Sequence, residues 1–444
     1  MIEDRILFSG WGSNGGVDAV VKSLRTKLET RNIGSDFIQY DPNSRVVGFS
    51  EENNNPTWYN FEDFVNKIDW AKYAVIDLHS CNFHKEDLKK IRIIAEHIPI
   101  IYHVHGLIAH YGRLEAEESQ DTSMIDVMNW LNSRPIETRE KEIKKYFKDW
   151  QACKLQEMLL EEADKLIYLT NFTYKASQEW YPECSKGNKR EVIIPNGSDF
   201  HIYSEDSRVK EKARNIRSKF GGNNAKIIIY SGRITVPKGA ADLAKAFDKI
   251  KEKYGEATLL MVGDAYEGKD LVYDNIRPEY RDSVIFTGWL KDKEDLAAHL
   301  KAADVLAIPS HHETFSIAAL EGMFMGTPVI MGDVDGSHEV YVEPQLAYGT
   351  KPGDTNRMVD LFNYLFENKE RATKNASHVK MIVNEKYNLD KVTDMNLGLY
   401  SQAVLSRYSN LMNFYISNNR KQDAKRIYDL MSKNLPFNPQ IVMR

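Results

Sequence analysis

The chain has few cysteines and no long apolar run. Only three of its 444 residues are cysteine, Cys81, Cys153 and Cys184, and this odd, widely spaced set fits neither a disulfide framework nor a closed zinc site. No stretch approaches the roughly 18 apolar residues of a membrane-spanning helix, and the opening MIEDRILFSG lacks the apolar core of a signal peptide. We therefore expect a cytoplasmic protein, with peripheral contact to the inner membrane face as a further hypothesis.

A surplus of basic residues is also missing. The formal net charge is -5, and because nucleic-acid binding usually accompanies a basic balance, no nucleic-acid partner is expected. The sequence has no GxSxG nucleophile elbow, and adjacent His311 and His312 lie on one short stretch from which side chains seldom converge on one metal. Serine-hydrolase and zinc-hydrolase classes are therefore disfavoured.

Short β-rich runs alternate with amphipathic runs in both halves of the chain, the rhythm of parallel α/β sheets. A length of 444 residues also favours two domains. The expected strands are 6–8, 37–40, 73–78, 100–104, 165–170 and 192–194 in the first half, and 226–230, 258–262, 284–287, 305–308 and 328–331 in the second. We predict two Rossmann-like domains facing a central cleft, where both sheets present their strand carboxyl ends.

The expected domain boundaries follow from where this rhythm stops. They are an N-terminal domain at 1–200 with a charged helical insertion at 111–150, a connection at 201–224, a C-terminal domain at 225–385, and C-terminal helices at 386–444.

The C-terminal segment is predicted to form two short helices that turn at Asn418 and Asn419. The side chains expected to face one another are Leu411, Phe414 and Tyr415 on the first helix and Ala424, Ile427, Tyr428 and Met431 on the second. A single helical pair is too small to stabilise itself as a repeat array. We expect it to pack on the body of the protein, and a docking surface for a partner protein is the alternative.

The most specific pattern in the sequence is PSHHETFSIAALEG. Glu313 and Glu321 are eight positions apart, a separation of about 12 Å if both lie on one helix. That length is comparable to a sugar joined to a ribose through a diphosphate. The amides of residues 314–316 would then lie at a helix N-terminus, which attracts anionic oxygens. An ordinary helix with two unrelated acids is the alternative.

The run 309–328 resembles the donor-binding signature of family 4 retaining glycosyltransferases (glycosyl transferases group 1), which have the GT-B fold. In that signature two glutamates separated by seven residues precede a Gly-x-Pro turn. The matching residues are Pro309, Ser310, Glu313, Phe315, Glu321, Gly322, Gly326 and Pro328. SGRITVPKG before the signature and KPGD after it extend the resemblance over most of residues 225–355.

This resemblance implies that 225–385 binds a nucleotide sugar. Arg233 and Lys238 would hold the donor diphosphate, since fixed cations stabilise the charge of a departing group. Glu321 would accept the ribose hydroxyls and Glu313 those of the transferred sugar. The other donor-site residues expected here are Thr314, Phe315 and Ser316. A uridine nucleotide is expected, with no cofactor and no metal.

In the first half, SGWGSNGGVDAVVKSLRTKL matches the family's glycine-rich loop. Gly15 and Gly16 are expected to let the backbone approach the donor phosphates or the acceptor. The run HVHG, after the fourth strand, places His105 near the reacting carbon, with His103 the weaker match. The expected role of His105 is a contact to the sugar or transition state, and a satisfied core histidine is the alternative. IPNGSD matches the family's domain junction.

The resemblance further implies transfer with retention of anomeric configuration to an acceptor hydroxyl bound by the N-terminal domain. The expected setting is bacterial glycan, glycolipid or glycoprotein synthesis, with a glycan, a lipid-linked or a protein acceptor. Basic residues of the connection could contact anionic lipid, although a solvated linker is the simpler interpretation. They are Lys210, Lys212, Arg214, Arg217 and Lys219.

The sequence departs from the family pattern at DVDGSHE. Asp335 stands where the family has the first of two paired glycines, and with Asp333 it forms an Asp-x-Asp triplet. In glycosyltransferases of another fold such a triplet binds a divalent cation. We do not expect a metal here, because Arg233 and Lys238 would already supply the positive charge.

Other classes of function remain open. Gly10, Gly12 and Gly15 spell GxGxxG after a strand, with Asp36 or Asp41 as a ribose-binding acid, which would suit an NAD-dependent oxidoreductase. That reading leaves the motifs of the second half unexplained. A non-catalytic glycosyltransferase-like subunit and a nucleotide-sugar 2-epimerase are further alternatives.

Overall fold

The structure is a computed structural model that describes residues 5–10, 16–41, 44–52, 54–79, 83–105, 155–182, 184, 190–199, 206–264 and 268–433. The chain divides into two compact units. Unit 1 comprises Met1–Pro195 and Val392–Arg444, and unit 2 comprises Asn196–Lys391. The expected insertion at 111–150 lies outside the described residues, as do Gly15, Cys81 and Cys153.

The described part of unit 1 contains an eight-stranded sheet of order β4-β3-β2-β1-β5-β6-β7-β8. Its strands are β1 Arg5–Gly10, β2 Ser35–Asp41, β3 Val46–Glu51, β4 Thr57–Asn60, β5 Tyr73–Leu78, β6 Ile100–Val104, β7 Lys165–Tyr168 and β8 Arg190–Ile193. All pairs are parallel except β2–β3 and β3–β4, which are antiparallel. The six expected strands are present, and the hairpin of β3 and β4 was not predicted.

Helices of unit 1 cover both faces of this sheet. They are α1 Gly16–Glu29, α2 Phe61–Lys67, α3 Lys85–Ile94, α4 at 155–162 and α5 Asn171–Trp180, with a short turn at Trp70–Lys72. Local chemistry defines their ends, because Asn60 accepts from the Asp63 amide before α2 and Thr170 forms a capping box with Thr173 before α5.

Unit 2 contains a six-stranded parallel sheet of order β11-β10-β9-β12-β13-β14. Its strands are β9 Lys226–Ser231, β10 Ala257–Val262, β11 Val284–Gly288, β12 Val305–Ile308, β13 Val329–Gly332 and β14 Tyr348–Thr350. Its helices are α6 Ser207–Lys219, α7 Ala240–Lys253, α8 Gly268–Tyr273, α9 Lys293–Ala302, α10 Ile317–Phe324, α11 Thr355–Glu367 and α12 Lys369–Lys386. Short turns lie at Gly222–Asn224, Val236–Lys238, Pro278–Ser283, Asp335–Ser337 and His338–Val342. Strand β14 was not predicted.

The stretch expected to connect the two halves contains helix α6, which belongs to unit 2 and pairs with other residues of that unit. Lys212 pairs with Asp295 at 2.7 Å, and Arg217 pairs with Asp304 at 3.1 Å. Because these two cations already have acidic partners, they offer less to an anionic lipid surface than a solvated linker would.

Two C-terminal helices complete unit 1. Helix α13, Leu389–Ser417, contains the boundary between the units, and α14, Lys421–Lys433, follows it. The prediction of two short helices was wrong for the first, which has 29 residues. Tyr415, Ala424 and Ile427 are buried in a core with strand residues of β1 and β6. Phe414 and Tyr428, expected inside the hairpin, are 55% and 58% exposed, because the helices turn other faces to the sheet.

We predict that Ile427→Ala destabilises unit 1 by about 2–5 kcal/mol, the usual cost of truncating a buried aliphatic side chain. Ile427 is fully buried, whereas the adjacent Tyr428 is largely exposed, so Tyr428→Ala should change stability by less than about 1 kcal/mol. Urea denaturation followed by near-ultraviolet circular dichroism measures both. Equal effects of the two substitutions would show that α14 does not pack as described.

Candidate functional site

In unit 2 the loops after β9 and β12 pack directly on one another. Gly239 has φ +71°, and a Cβ at this position would lie 2.0 Å from the carbonyl oxygen of Pro309. The His311 amide also donates to the Pro237 carbonyl at 2.9 Å. Only glycine fits such a close approach with positive φ. This packing places the Lys-Gly part of SGRITVPKG beside the start of PSHHETFSIAALEG.

The contact between these loops brings Lys238 and Glu313 together. Lys238 Nζ donates to Glu313 Oε2 at 2.9 Å, and the two side chains are 26% and 13% exposed. Arg233 lies in the same β9 loop, where it is exposed and its carbonyl oxygen accepts from Tyr230 at 2.5 Å. The expected cations and the first glutamate therefore lie on neighbouring loops, with the lysine already bound to the acid.

The expected helical spacing of the two glutamates was wrong. Helix α10 begins at Ile317, because Ser316 occupies the N-cap position and its hydroxyl accepts from the Ala319 amide at 3.3 Å. Glu313 therefore precedes the helix, while Glu321 lies one turn inside it and is 6% exposed. A separation along one helix axis does not describe this pair.

Two sets of contacts beside the glutamates were not anticipated. Lys293, at the start of α9, donates to Glu321 Oε1 at 3.0 Å and compensates that buried charge. Phe315 is 4% exposed and its ring packs edge-on against Tyr341 and Tyr387, so its side chain belongs to the core. Only the backbone of Phe315 can serve a ligand.

The Asp-x-Asp triplet is engaged with protein groups. Asp333 accepts from Lys351 at 2.9 Å and from His338 at 2.5 Å. Burial opposes ionisation of Asp333, but these two partners outweigh it and lower its pKa. Asp335 has φ +46° and accepts the Glu313 amide at 3.2 Å. Aspartate tolerates this left-handed backbone better than most residues, which explains how it replaces glycine.

In unit 1 a histidine cluster lies at the carboxyl ends of β5 and β6. His79 Nδ1 lies 2.8 Å from His105 Nε2, and His79 Nε2 lies 3.2 Å from Asp77 Oδ2. His103 Nε2 lies 3.0 Å from Asp77 Oδ1, and the Tyr400 hydroxyl of α13 donates to Asp77. We define these five residues as the histidine cluster. His103, the weaker match, thus has a core partner, while His105 is the partly buried member.

Burial keeps two of the cluster's imidazoles, those of His79 and His105, neutral. Burial lowers the pKa of His79 to about 4 and lowers the pKa of His105 well below its usual value. Burial alone would raise the pKa of Asp77, but His103 and His79 outweigh it and lower it. The cluster therefore combines the ionised carboxylate of Asp77 with the neutral rings of His79 and His105.

The sequence pattern missed Asp77, His79, Tyr400 and Lys293. A usable signal existed for the first two, because DLHS ends β5 and HVHG ends β6, and these adjacent parallel strands bring their ends together. No local pattern signals the other two, whose partners are far away in sequence.

Only one of the two candidate ribose-binding acids, Asp36 and Asp41, lies where a dinucleotide could reach it. Asp36 lies near the amino end of β2, where Arg5 donates to it at 3.0 Å and Tyr73 at 2.7 Å. Because ligands of open α/β sheets bind at the opposite edge, Asp36 cannot serve as the ribose acid. Asp41 does end β2 and accepts from Ser44 at 2.5 Å. Gly16 begins α1, whereas Gly12 and Gly15 lie outside the described residues.

Comparisons with known proteins agree with this architecture. The family model of glycosyl transferases group 1 matches residues 211–380. The uncharacterized glycosyltransferase MJ1607 of Methanocaldococcus jannaschii is 27% identical over 339 residues, 75% of this chain and 76% of that protein. Alpha-D-kanosaminyltransferase of Streptomyces kanamyceticus is 23% identical over 201 residues, 45% of this chain, and the alignment spans about half (52%) of that relative.

A solved structure of Anabaena HepE in complex with UDP-glucose has the same fold. It matches with a TM-score of 0.60 and 18% identity over 92% of this chain and 100% of that chain. Two α/β units with C-terminal helices define the GT-B fold. The chain thus carries a glycosyl transferases group 1 domain at residues 211–380 and is similar over 75% of its length to a glycosyltransferase. In the part of the chain that the structure describes, no helix is long and apolar enough to span a bilayer.

We predict that unit 1 loses stability as the pH falls from about 6.5 towards 4. In this window the unfolded chain protonates His79, whose usual pKa is about 6.5, whereas the folded protein keeps it neutral. The groups facing its ring are Asp77, His103, His105 and Asp18. Stability should change by up to about 1.4 kcal/mol per pH unit for this proton. Urea denaturation from pH 7 to 4.5 measures the slope, which should become shallower in His79→Gln.

Proposed function

We propose that this chain is a retaining glycosyltransferase that moves a sugar from a uridine diphosphate sugar to an acceptor hydroxyl. The observation that carries the proposal is the Lys238–Glu313 ion pair, formed at 2.9 Å between the two motif loops of unit 2. A diphosphate sugar offers a phosphate for the lysine and hydroxyls for the glutamate. Binding would exchange one ion pair for two ligand contacts without leaving either charge unpaired.

The rest of the donor site follows from the same two loops. Arg233 adds a second cation near the diphosphate, and Glu321 accepts ribose hydroxyls after exchanging its contact with Lys293. The backbone amides of Thr314, Phe315 and Ser316 lie just before α10, and Ser316 is its N-cap residue. The N-terminus of a helix favours anionic oxygens. HepE was solved with UDP and with UDP-glucose, which makes uridine donors the first choice for testing.

The proposed chemistry is a front-face displacement. The bond between the anomeric carbon and the diphosphate oxygen breaks while the acceptor oxygen bonds to the same face of that carbon. The departing phosphate oxygen takes the proton of the acceptor hydroxyl. The protein contributes orientation and fixed charges, with Arg233 and Lys238 stabilising the diphosphate and His105 contacting the sugar. No step requires a metal ion.

We propose that the acceptor is a hydroxyl of a glycan, a lipid-linked molecule or a protein, and that unit 1 binds it. The proposed setting is bacterial glycan, glycolipid or glycoprotein synthesis. The C-terminal helices contribute to the core of unit 1, which favours a structural role for them over partner docking.

Glu313→Ala and Lys238→Ala are each predicted to lower turnover by about a hundredfold or more, the scale seen when one preorganised stabilising group is removed. The matched control is Lys253→Ala. Lys253 also pairs with a glutamate, Glu367, at 2.9 Å in unit 2, but both side chains are about half exposed on the surface. This control should keep the wild-type rate.

Slow hydrolysis of a panel of nucleotide sugars measures these rates without an acceptor, and product analysis separates transfer from 2-epimerisation. Wild-type hydrolysis rates in both site variants would refute the donor-site assignment. Retained NAD, with no thermal stabilisation by any nucleotide sugar, would favour the oxidoreductase alternative.

A further inference from the structure

The histidine cluster contains a continuous line of hydrogen-bonding atoms from Asp77 to His105. Asp77 is fully buried and His79 is 2% exposed, so both side chains lie away from bulk solvent. His79 uses one ring nitrogen on Asp77 and the other on His105, at 3.2 Å and 2.8 Å. The order Asp77, His79, His105 therefore runs from the interior of unit 1 to a partly buried ring at the carboxyl edge of its sheet.

The chemistry of these atoms fixes where the protons lie. An ionised carboxylate only accepts hydrogen bonds, so Nε2 of His79 must carry a hydrogen to bond with Asp77. A neutral His79 then has a lone pair on Nδ1. Nε2 of His105 must therefore donate to it. If His105 is also neutral, its proton is on Nε2 and its Nδ1 carries the lone pair.

A metal ion is the competing explanation for three clustered imidazoles, because ring nitrogens of His79, His103 and His105 lie within 4.8 Å of one another. Two nitrogens bound tetrahedrally to one zinc at about 2.0–2.1 Å would be roughly 3.3 Å apart. His79 Nδ1 and His105 Nε2 are only 2.8 Å apart, the length of a direct hydrogen bond. The spacing favours the hydrogen-bonded arrangement.

We propose that Asp77 and His79 are positioning residues that hold His105 in its Nε2–H tautomer, so that Nδ1 accepts a hydrogen bond from a hydroxyl of the transferred sugar. The proposal rests on the proposed function, since it assigns the sugar as the partner of His105. It explains why a buried carboxylate and a second histidine lie behind the histidine that the family motif marks.

Tyr400 and His103 complete the arrangement around Asp77. His103 faces Oδ1 at 3.0 Å, while His79 and the Tyr400 hydroxyl face Oδ2. A buried carboxylate stays ionised only if its oxygens have such partners. Because Tyr400 lies on α13, the C-terminal helix contributes directly to the state of the histidine cluster.

Nitrogen-15 NMR of histidine-labelled protein tests the tautomers directly, without substrate. Long-range couplings between ring nitrogens and carbon-bound protons distinguish Nε2–H from Nδ1–H. We expect His79 and His105 to be Nε2–H tautomers at pH 7.5, assigned by His79→Gln and His105→Gln. A dominant Nδ1–H or a doubly protonated His105 would overturn the proposal.

Asp77→Asn tests whether the carboxylate controls the tautomer. The amide can donate to His79 and reverse the order of donors, so the Nε2–H population of His105 should fall and turnover should drop about 10- to 100-fold, with a smaller change in KM. The matched control is Asp36→Asn, a carboxylate equally buried in unit 1 but bound to Arg5 and Tyr73 at the other edge of the sheet. It should lower stability and leave turnover and the tautomer unchanged.

Tyr400→Phe is the milder variant, useful if Asp77→Asn fails to fold. It removes one hydrogen bond to Asp77 and should lower turnover several-fold, with the pH profile shifted because the carboxylate loses a donor. Deoxygenated donors complete the kinetic test. Removing the sugar hydroxyl that bonds to His105 should shrink the defect of Tyr400→Phe, whereas equal defects with every deoxy donor would overturn the assignment of the sugar.

Two results separate this proposal from the function on which it rests. If no nucleotide sugar is turned over and yet NMR shows both Nε2–H tautomers, the control of the His105 tautomer by Asp77 and His79 is supported and the proposed function fails. If nucleotide sugars are turned over but Asp77→Asn behaves like Asp36→Asn, the positioning role of Asp77 is refuted and the proposed function stands. Stoichiometric Co²⁺ binding, with visible absorption bands of a tetrahedral site that vanish in His79→Gln, would also overturn the positioning of His105 by His79. In that case the metal would occupy Nδ1 of His79.

Discussion

The close approach of Gly239 to the carbonyl of Pro309 is the constraint on which the donor half of the protein depends. Any side chain at position 239 would collide with backbone, so the loops after β9 and β12 could not pack as they do. Without that packing Lys238 would not reach Glu313. The motif residues are thus positioned by backbone geometry first and by charge second, which is how a preorganised site avoids reorganisation during reaction.

Each unit holds a buried carboxylate at the carboxyl side of its sheet. The partners that compensate the buried negative charge differ between the two units. In unit 2, Glu321 is balanced by the flexible amine of Lys293, a partner that can move when a ligand arrives. In unit 1, Asp77 is held by two rings and a phenol, groups with few rotatable bonds. A mobile partner suits a site that exchanges contacts with a ligand, and rigid partners suit one that orients another residue.

Much of the fold could be predicted because parallel strands are buried on both faces and read as continuous apolar runs. Strands β5, β6 and β12 lie at the predicted residues for this reason. The hairpin of β3 and β4 was missed because β4 is largely exposed and has no such run. The start of α10 was misplaced because Ser316 caps it, a signal present in the sequence but outweighed by the glutamate spacing.

The candidate site was predictable only as far as local motifs reach. Lys238 and Glu313 were both expected, yet their direct pairing depends on how two loops pack, which no spacing encodes. Tyr400 and Asp77 are 323 positions apart, and their contact exists only once the C-terminal helix lies on the first sheet. Pairings of this kind follow from tertiary structure alone.

The discontinuity of unit 1 also constrains how the protein is made. Its first sheet carries an apolar face, including Ile6, Phe8 and Ile101, whose covering residues Tyr408 and Ile427 belong to the far end of the chain. Roughly 200 residues of unit 2 are translated in between, which takes roughly 10–40 s at about 5–20 residues per second. During that interval the apolar face of unit 1 lacks its C-terminal cover, and exposed apolar surface of this kind is what chaperones bind. The contiguous unit 2 has all of its residues earlier and can fold first.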